Sequence, residues 1–300
     1  GSHLFDILLE FQRQPDLDVE DWKLRAYWLG TQAVVWASIH DFDRAHDCIE
    51  RAYALGVDHP WTLSCESEVW GYEDRWDEAF KNAEKAWEMD FRAPLAVRCL
   101  GNSLMHLGRA REAAERLWDS AQEGESFDVV RQACWCLCAA AEVLEGEDRD
   151  VMLARARHLS DRLLPLVPMA DRETRSLCAR IELDIAEQTN EREGIQRWAE
   201  EIRSPFHRLM IQNLHRNPHG QRIMLPFDRV TQRYNECLPA SLSVVLSALG
   251  IEVSPDEIAR DITYGGTSFW AAAEWLEKRG LVVRFRSEER RVGKECRSRW

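Results

Sequence analysis

The chain has 300 residues, enough for two domains, and 45% of them are hydrophobic, as in a globular protein. The formal net charge of −13 argues against a nucleic-acid-binding surface, which would concentrate Lys and Arg. The sequence has no apolar run of membrane-spanning length and no signal-peptide pattern, so we expect neither membrane insertion nor export. Nine cysteines without framework spacing indicate reduced thiols and a cytoplasmic protein.

A period of 34 residues runs through the first half of the chain. Ala45 is followed at this spacing by Ala79 and Ala113, and Pro60 is followed by Pro94. Small residues that recur in this way mark the points where the two helices of a repeat touch. The period therefore predicts stacked pairs of helices. Beyond residue 124 it drifts, but two further helical pairs are predicted at about 128–164 and 171–203.

This pattern resembles the tetratricopeptide repeat. Leu100 and Gly101 fall at the Leu-Gly positions of the first helix of that repeat, whereas Trp36 and Trp70 stand where tyrosine is usual. The resemblance implies a helical solenoid over residues 1–204, with a concave face that binds a partner protein or peptide.

Neither the cysteines nor the histidines of this half predict a metal site. Cys134 and Cys138 share one helix face and Cys136 points elsewhere, so we expect all three to be packed between helices. His215 and His219 have metal-ligand spacing for a helix, but a proline separates them. No cofactor is predicted.

The stretch from Val230 to Gly250 contains a candidate reactive thiol. Apolar residues recur there with helical spacing, and Pro239 is tolerated only in a first turn, so the helix should begin at about Cys237. The thiol would then lie beside unpaired backbone N–H groups at the positive end of the helix dipole, where a thiolate is favoured. Gln232 could place an amide donor near the same point.

These residues resemble the opening of the double-glycine, bacteriocin-processing peptidases, which are cysteine peptidases of papain-like fold. The shared order is a proline-containing lead-in, Gln232, Cys237 and then Pro-Ala-Ser on an apolar helix, although many members have a Gln–Cys spacing of six where this chain has five. The resemblance implies that Cys237 attacks the scissile carbonyl and that Gln232 holds the oxyanion. It also implies a later histidine as general base, oriented by Asp or Asn.

The sequence does not supply the second half of that site. All nine histidines lie at or before His219, and Asp256 and Asp261 follow Cys237 too closely to be the orienting residue. We therefore expect the chain as given to be an inactive fragment of an active peptidase.

Further elements are predicted after the cysteine helix. Ser254 to Glu257 form a capping box with proline at the first helical position, which begins a helix that ends near Ile262. A third helix is predicted at Phe269–Lys278, and a strand at Leu281–Phe285.

Both ends of the chain have features that are not expected of native protein sequence. The start Gly-Ser-His lacks Met, which indicates an expression remnant or an incomplete fragment, and residues 286–300 resemble a translated sequencing adapter. The predicted organisation is tetratricopeptide-like repeats at 1–204, a linker at 205–222, a partial papain-like α+β domain at 223–285 and a non-native tail at 286–300.

The sequence thus predicts a mainly α-helical repeat protein whose C-terminal part belongs to a thiol-dependent peptidase. Its expected partners are a peptide or protein substrate and a protein bound on the concave face of the repeats. Two alternatives stay open: acyl transfer on the same scaffold, and a non-catalytic binding scaffold with a degenerate peptidase-like domain.

Overall fold

The computed structural model describes residues 21–56, 59–122, 124–202, 204–217, 230, 236–263 and 267–283. Within these ranges the chain forms fourteen α-helices and no β-strand; a single antiparallel bridge joins Thr263 and Thr267. The mainly helical fold predicted from the sequence is therefore confirmed. Contacts between Cα atoms divide the chain into a repeat unit, Gly1–Ile223, and a C-terminal unit, Met224–Trp300.

Ten helices of the repeat unit form five consecutive pairs. Each helix packs against its partner, and each first helix also packs against the first helix of the next pair. The pairs are α1 (Trp22–Ser38) with α2 (Phe42–Ala54), α3 (Pro60–Tyr72) with α4 (Trp76–Met89), α5 (Pro94–His106) with α6 (Ala110–Gln122), α7 (Phe127–Val143) with α8 (Gly146–Leu166), and α9 (Arg172–Gln188) with α10 (Arg192–Ile202).

The 34-residue period is also present in the backbone of the turns. The turn inside each of the first three pairs contains one residue with positive φ: His40 at 62°, Asp74 at 59° and Gly108 at 73°. These residues are 34 positions apart. Each permits the chain to leave the first helix in the left-handed conformation and to begin the second helix two residues later.

Small residues lie where the helices of a pair approach most closely, as the period predicts. Ala45, Ala79 and Ala113 are completely buried. A Cβ atom at Gly101 would lie 2.9 Å from both Leu117 Cδ2 and Gln132 Nε2, so a larger residue there would displace the packed side chains.

The seven cysteines described in the repeat unit are all buried. Burial raises the pKa of Cys134 to about 12 and also raises that of Cys138, so both stay protonated thiols at neutral pH. Their packing between helices agrees with the sequence prediction. In the ranges that the structure describes, no three His, Cys, Asp or Glu side chains are grouped as metal ligands would be.

The structure differs from the predicted linker at 205–222. Residues Pro205–Arg216 form an eleventh helix, α11, which packs against α10. Ser204 caps this helix by accepting a hydrogen bond from the His207 N–H at 3.3 Å, and Pro205 occupies the first helical position. The prolines suggested a break in the helical pattern, but a proline at this position favours a helix start.

Three helices form the described part of the C-terminal unit: α12 (Cys237–Ala248), α13 (Pro255–Ile262) and α14 (Phe269–Glu277). Their starts agree with the sequence prediction, and Ser254 caps α13 by accepting from the Glu257 N–H at 3.2 Å. Leu246, Ile258 and Trp275 form the centre of the small hydrophobic core of the C-terminal unit.

The predicted strand at Leu281–Phe285 is not seen in residues 281–283, and Phe285 lies outside the described residues. The α+β part of the predicted fold therefore stays a prediction. None of the described helices is both long enough and apolar enough to cross a membrane.

Candidate active site

Cys237 is the first residue of α12, and its side chain is exposed. The backbone N–H groups at the start of a helix have no intrahelical acceptor, and Pro239 contributes none. The preceding residue, Glu236, makes no side-chain hydrogen bond to this turn. The N–H groups of Cys237 and Leu238 are therefore available as hydrogen-bond donors beside the thiol.

One side of α12 packs against the other helices of the C-terminal unit, and the opposite side is exposed. Ser243 Oγ donates to the Val253 carbonyl at 2.7 Å, and Leu246 is buried against α13 and α14. The opposite side of the helix carries Cys237, Val245 and Leu249, with Val245 52% and Leu249 63% exposed. The thiol thus stands at one end of an exposed apolar helix face.

Gln232 lies outside the described residues, so its proposed role beside Cys237 stays a prediction. Among the described residues of the C-terminal unit, the structure brings no histidine to Cys237, since none follows it in the sequence. The linker histidine His219 also lies outside the described residues, while His215 is in the last turn of α11.

Asp261 has a structural role on α13. Its Oδ2 atom accepts a hydrogen bond from Trp275 Nε1 at 2.8 Å and lies 3.4 Å from Arg279 Nη2. The Arg279 guanidinium also stacks on the Trp275 ring, 3.5 Å from its centroid. The hydrogen bond from Trp275, together with the positive charge of Arg279, lowers the pKa of Asp261. Asp261 thereby joins α13 to α14.

We expect the Asp261→Asn substitution to destabilise the C-terminal unit more at neutral than at acidic pH. Because the folded-state pKa of Asp261 is lowered, its ionised form adds stability above the unfolded pKa of about 3.9, and this stability disappears as the pH falls through the folded value. The urea midpoint, followed through the Trp275 indole N–H resonance, should therefore differ between wild type and variant at pH 7 and converge at an acidic pH below the folded-state pKa of Asp261. An equal difference at both pH values would contradict this role.

The repeat unit contains a small open pocket, of mixed polar and apolar lining, that the sequence analysis missed. It has a volume of about 210 Å³ and is lined by Glu68, Tyr72, Trp76 and Asn102, among others. Burial raises the pKa of Glu68, although Arg98 forms an ion pair with it. Glu68 and Asn102 are one 34-residue period apart, so the repeat itself was the signal that could have identified them.

No protein-family model matches the chain, and no curated protein matches it significantly.

Proposed function

We propose that the chain carries the nucleophile of a papain-like cysteine peptidase similar to the double-glycine peptidases, with Gln232 as the oxyanion donor. The observation that carries the proposal is the position of Cys237, which is exposed at the first residue of a helix, whereas the seven cysteines described in the repeat unit are buried. A thiol in that position is accessible to a substrate and lies beside helix-start N–H groups that can donate to a developing oxyanion.

In the proposed reaction the Cys237 thiolate attacks the carbonyl carbon of the scissile peptide bond. Negative charge then develops on the carbonyl oxygen, where the Gln232 amide and helix-start N–H groups can stabilise it. Collapse of this intermediate expels the amine and leaves a thioester on Cys237, and water hydrolyses the thioester to regenerate the thiol.

Each half of this reaction needs a proton carrier, and in papain-like peptidases this is a histidine, of which none follows Cys237 in the 300 residues. A histidine would accept the thiol proton and pass it to the departing amine. We therefore expect residues 1–300 to show no turnover and assign the general base to sequence beyond them. The exposed Val245 and Leu249, two to three turns further along the same helix, provide an apolar surface on which an element carrying that base can pack.

The repeat unit would recruit the substrate or a protein partner to the peptidase. Stacked helical pairs present long surfaces for such contacts. Two alternative functions remain for the same residues. Acyl transfer would follow if an amine or alcohol, rather than water, accepts the acyl group from Cys237. A binding scaffold would follow if the complete domain has no histidine.

The proposal is tested by extending the reading frame past Phe285 in the source DNA and assaying the longer protein against a peptide library. Cleavage that requires Cys237 supports the peptidase. Formation of a transferred product without hydrolysis favours acyl transfer. A complete domain that has no downstream histidine and cleaves nothing favours the scaffold.

A further inference from the structure

An open cleft lies between α8 and α10, which are the second helices of the last two pairs, and α9 forms its floor. Its volume is about 940 Å³, at the upper end of the range for ligand pockets. Leu164, Cys178, Ala179 and Trp198 supply apolar lining, and charged side chains surround them. All of these residues belong to the repeat unit, so the cleft is independent of the chemistry proposed for Cys237.

The two preceding junctions between second helices are bridged by tryptophans. Between α4 and α6, Trp87 Nε1 donates to Ser120 Oγ at 3.1 Å. Between α6 and α8, the Arg155 guanidinium stacks on Trp118, 5.0 Å from the ring centroid. In the last pair, Trp198 instead packs with the apolar residues of α11 and α9. At this third junction the tryptophan therefore does not bridge the two second helices, and its ring lines the cleft between them.

The positively and negatively charged side chains around the cleft differ in how many of them already contact another group. Every guanidinium that lines the cleft contacts another group of the repeat unit. Arg157 Nη2 forms an ion pair with Glu191 Oε1 at 2.6 Å, and the Arg197 guanidinium stacks on Trp198, 4.5 Å from the ring centroid. The other two donate to backbone carbonyls: Arg175 Nε to Ala170 at 3.2 Å and Arg192 Nη2 to Asn217 at 3.1 Å. By contrast, Asp161, Glu193 and Glu201 are exposed and form no ion pair within the described residues. The lining thus holds five carboxylates against four guanidiniums, a small excess of negative charge, and three of the carboxylates are free to pair with a ligand.

We propose that this cleft binds a basic amphipathic segment of a partner protein. Lys or Arg side chains of the segment would pair with Asp161, Glu193 and Glu201, while its apolar side chains would pack on Leu164 and Trp198. The charge of the whole unit favours the same partner, since residues 1–223 contain 41 Asp and Glu against 27 Lys and Arg. This excess attracts basic segments at long range and increases their association rate.

The test uses the 300-residue chain and three fluorescein-labelled peptides in an anisotropy titration. The first peptide is an amphipathic helix of Leu and Lys, the second has every Leu replaced by Ser, and the third has every Lys replaced by Glu. We expect the first to bind and to weaken with added salt, because exposed charge pairs are screened. The Ser and Glu peptides should each bind at least about tenfold more weakly. Equal binding of the Leu/Lys and Ser/Lys peptides would overturn the proposal, since the apolar lining would then contribute nothing.

Matched variants locate the contact. Asp161→Asn, Glu193→Gln and Glu201→Gln together remove three negative charges from the cleft, and Asp43→Asn, Glu50→Gln and Glu88→Gln remove three exposed charges from α2 and α4. The cleft variant should bind the Leu/Lys peptide at least about tenfold more weakly, and the control variant should change affinity less than about twofold. Equal losses in the two variants, with unchanged circular dichroism, would show general attraction to an acidic protein and overturn the proposed site.

Discussion

Replacing Cys237 by Ser in the protein extended through its downstream residues is expected to lower kcat/KM by at least about a thousandfold. A serine hydroxyl in the same place lacks the acidity and nucleophilicity of the thiol, and the helix dipole cannot compensate for that difference. Gln232→Ala should lower kcat by about a hundred- to a thousandfold, as expected for the loss of one oxyanion donor. Peptide hydrolysis measured under pseudo-first-order conditions gives both values.

Ser247→Ala is the control for these two variants. Ser247 lies near the other end of α12, and its hydroxyl contacts Glu252 at 3.2 Å. Its removal should leave kcat/KM within about twofold of wild type. If the Cys237→Ser enzyme retained the activity of the control, another residue would be the nucleophile and the proposed role of Cys237 would be wrong.

Arg162→Ala is expected to cause a large loss of stability in the repeat unit. From α8, the Arg162 guanidinium donates to the carbonyls of Ala121 at 2.7 Å, Gln122 at 3.0 Å and Gly124 at 2.6 Å. These carbonyls belong to the end of α6 and the residues after it, where the helix dipole is negative. One cation therefore satisfies three acceptors that the helix cannot satisfy itself.

We expect the Arg162→Ala substitution to lower the free energy of unfolding by about 2–4 kcal/mol, because hydrogen bonds to charged groups contribute more than neutral ones. Arg162→Lys should recover only part of this loss, since one ammonium cannot reproduce the planar guanidinium contacts. Urea titration followed by tryptophan fluorescence measures the change. Arg155→Ala, which removes a guanidinium on the same helix that stacks on Trp118, should cost much less. Equal costs for Arg155→Ala and Arg162→Ala would contradict this account of the α6 end.

The helical pairs were predictable because the residues that define each pair are close in the sequence and recur every 34 residues. Ala45, Ala79 and Ala113 identify one contact point three times, and a position that must be small in every copy is visible without a structure. The start of α12 at Cys237 was predictable for a different reason, since Pro239 permits few positions in a helix.

Other features were hidden because they depend on residues far apart in the sequence. Arg162 lies about forty positions from the carbonyls it caps, and its own sequence neighbourhood is that of an ordinary surface arginine. The cleft beside Trp198 arises from the spacing between α8 and α10, which no single helix encodes. Helix α11 is not evident from the sequence because Pro205 is compatible with a break in the helical pattern as well as with a first helical residue.

The most direct test of the central claim is the reactivity of Cys237 in the 300-residue chain. Cys296, which lies outside the described residues, is first replaced by Ser, and the folded protein is treated with iodoacetamide at pH 7. The modified residues are then identified by mass spectrometry as a function of time. We predict that Cys237 is modified first and faster than N-acetylcysteine in the same solution, while the buried cysteines stay protected. A rate at Cys237 equal to or below that of N-acetylcysteine would contradict an activated thiol at the start of α12.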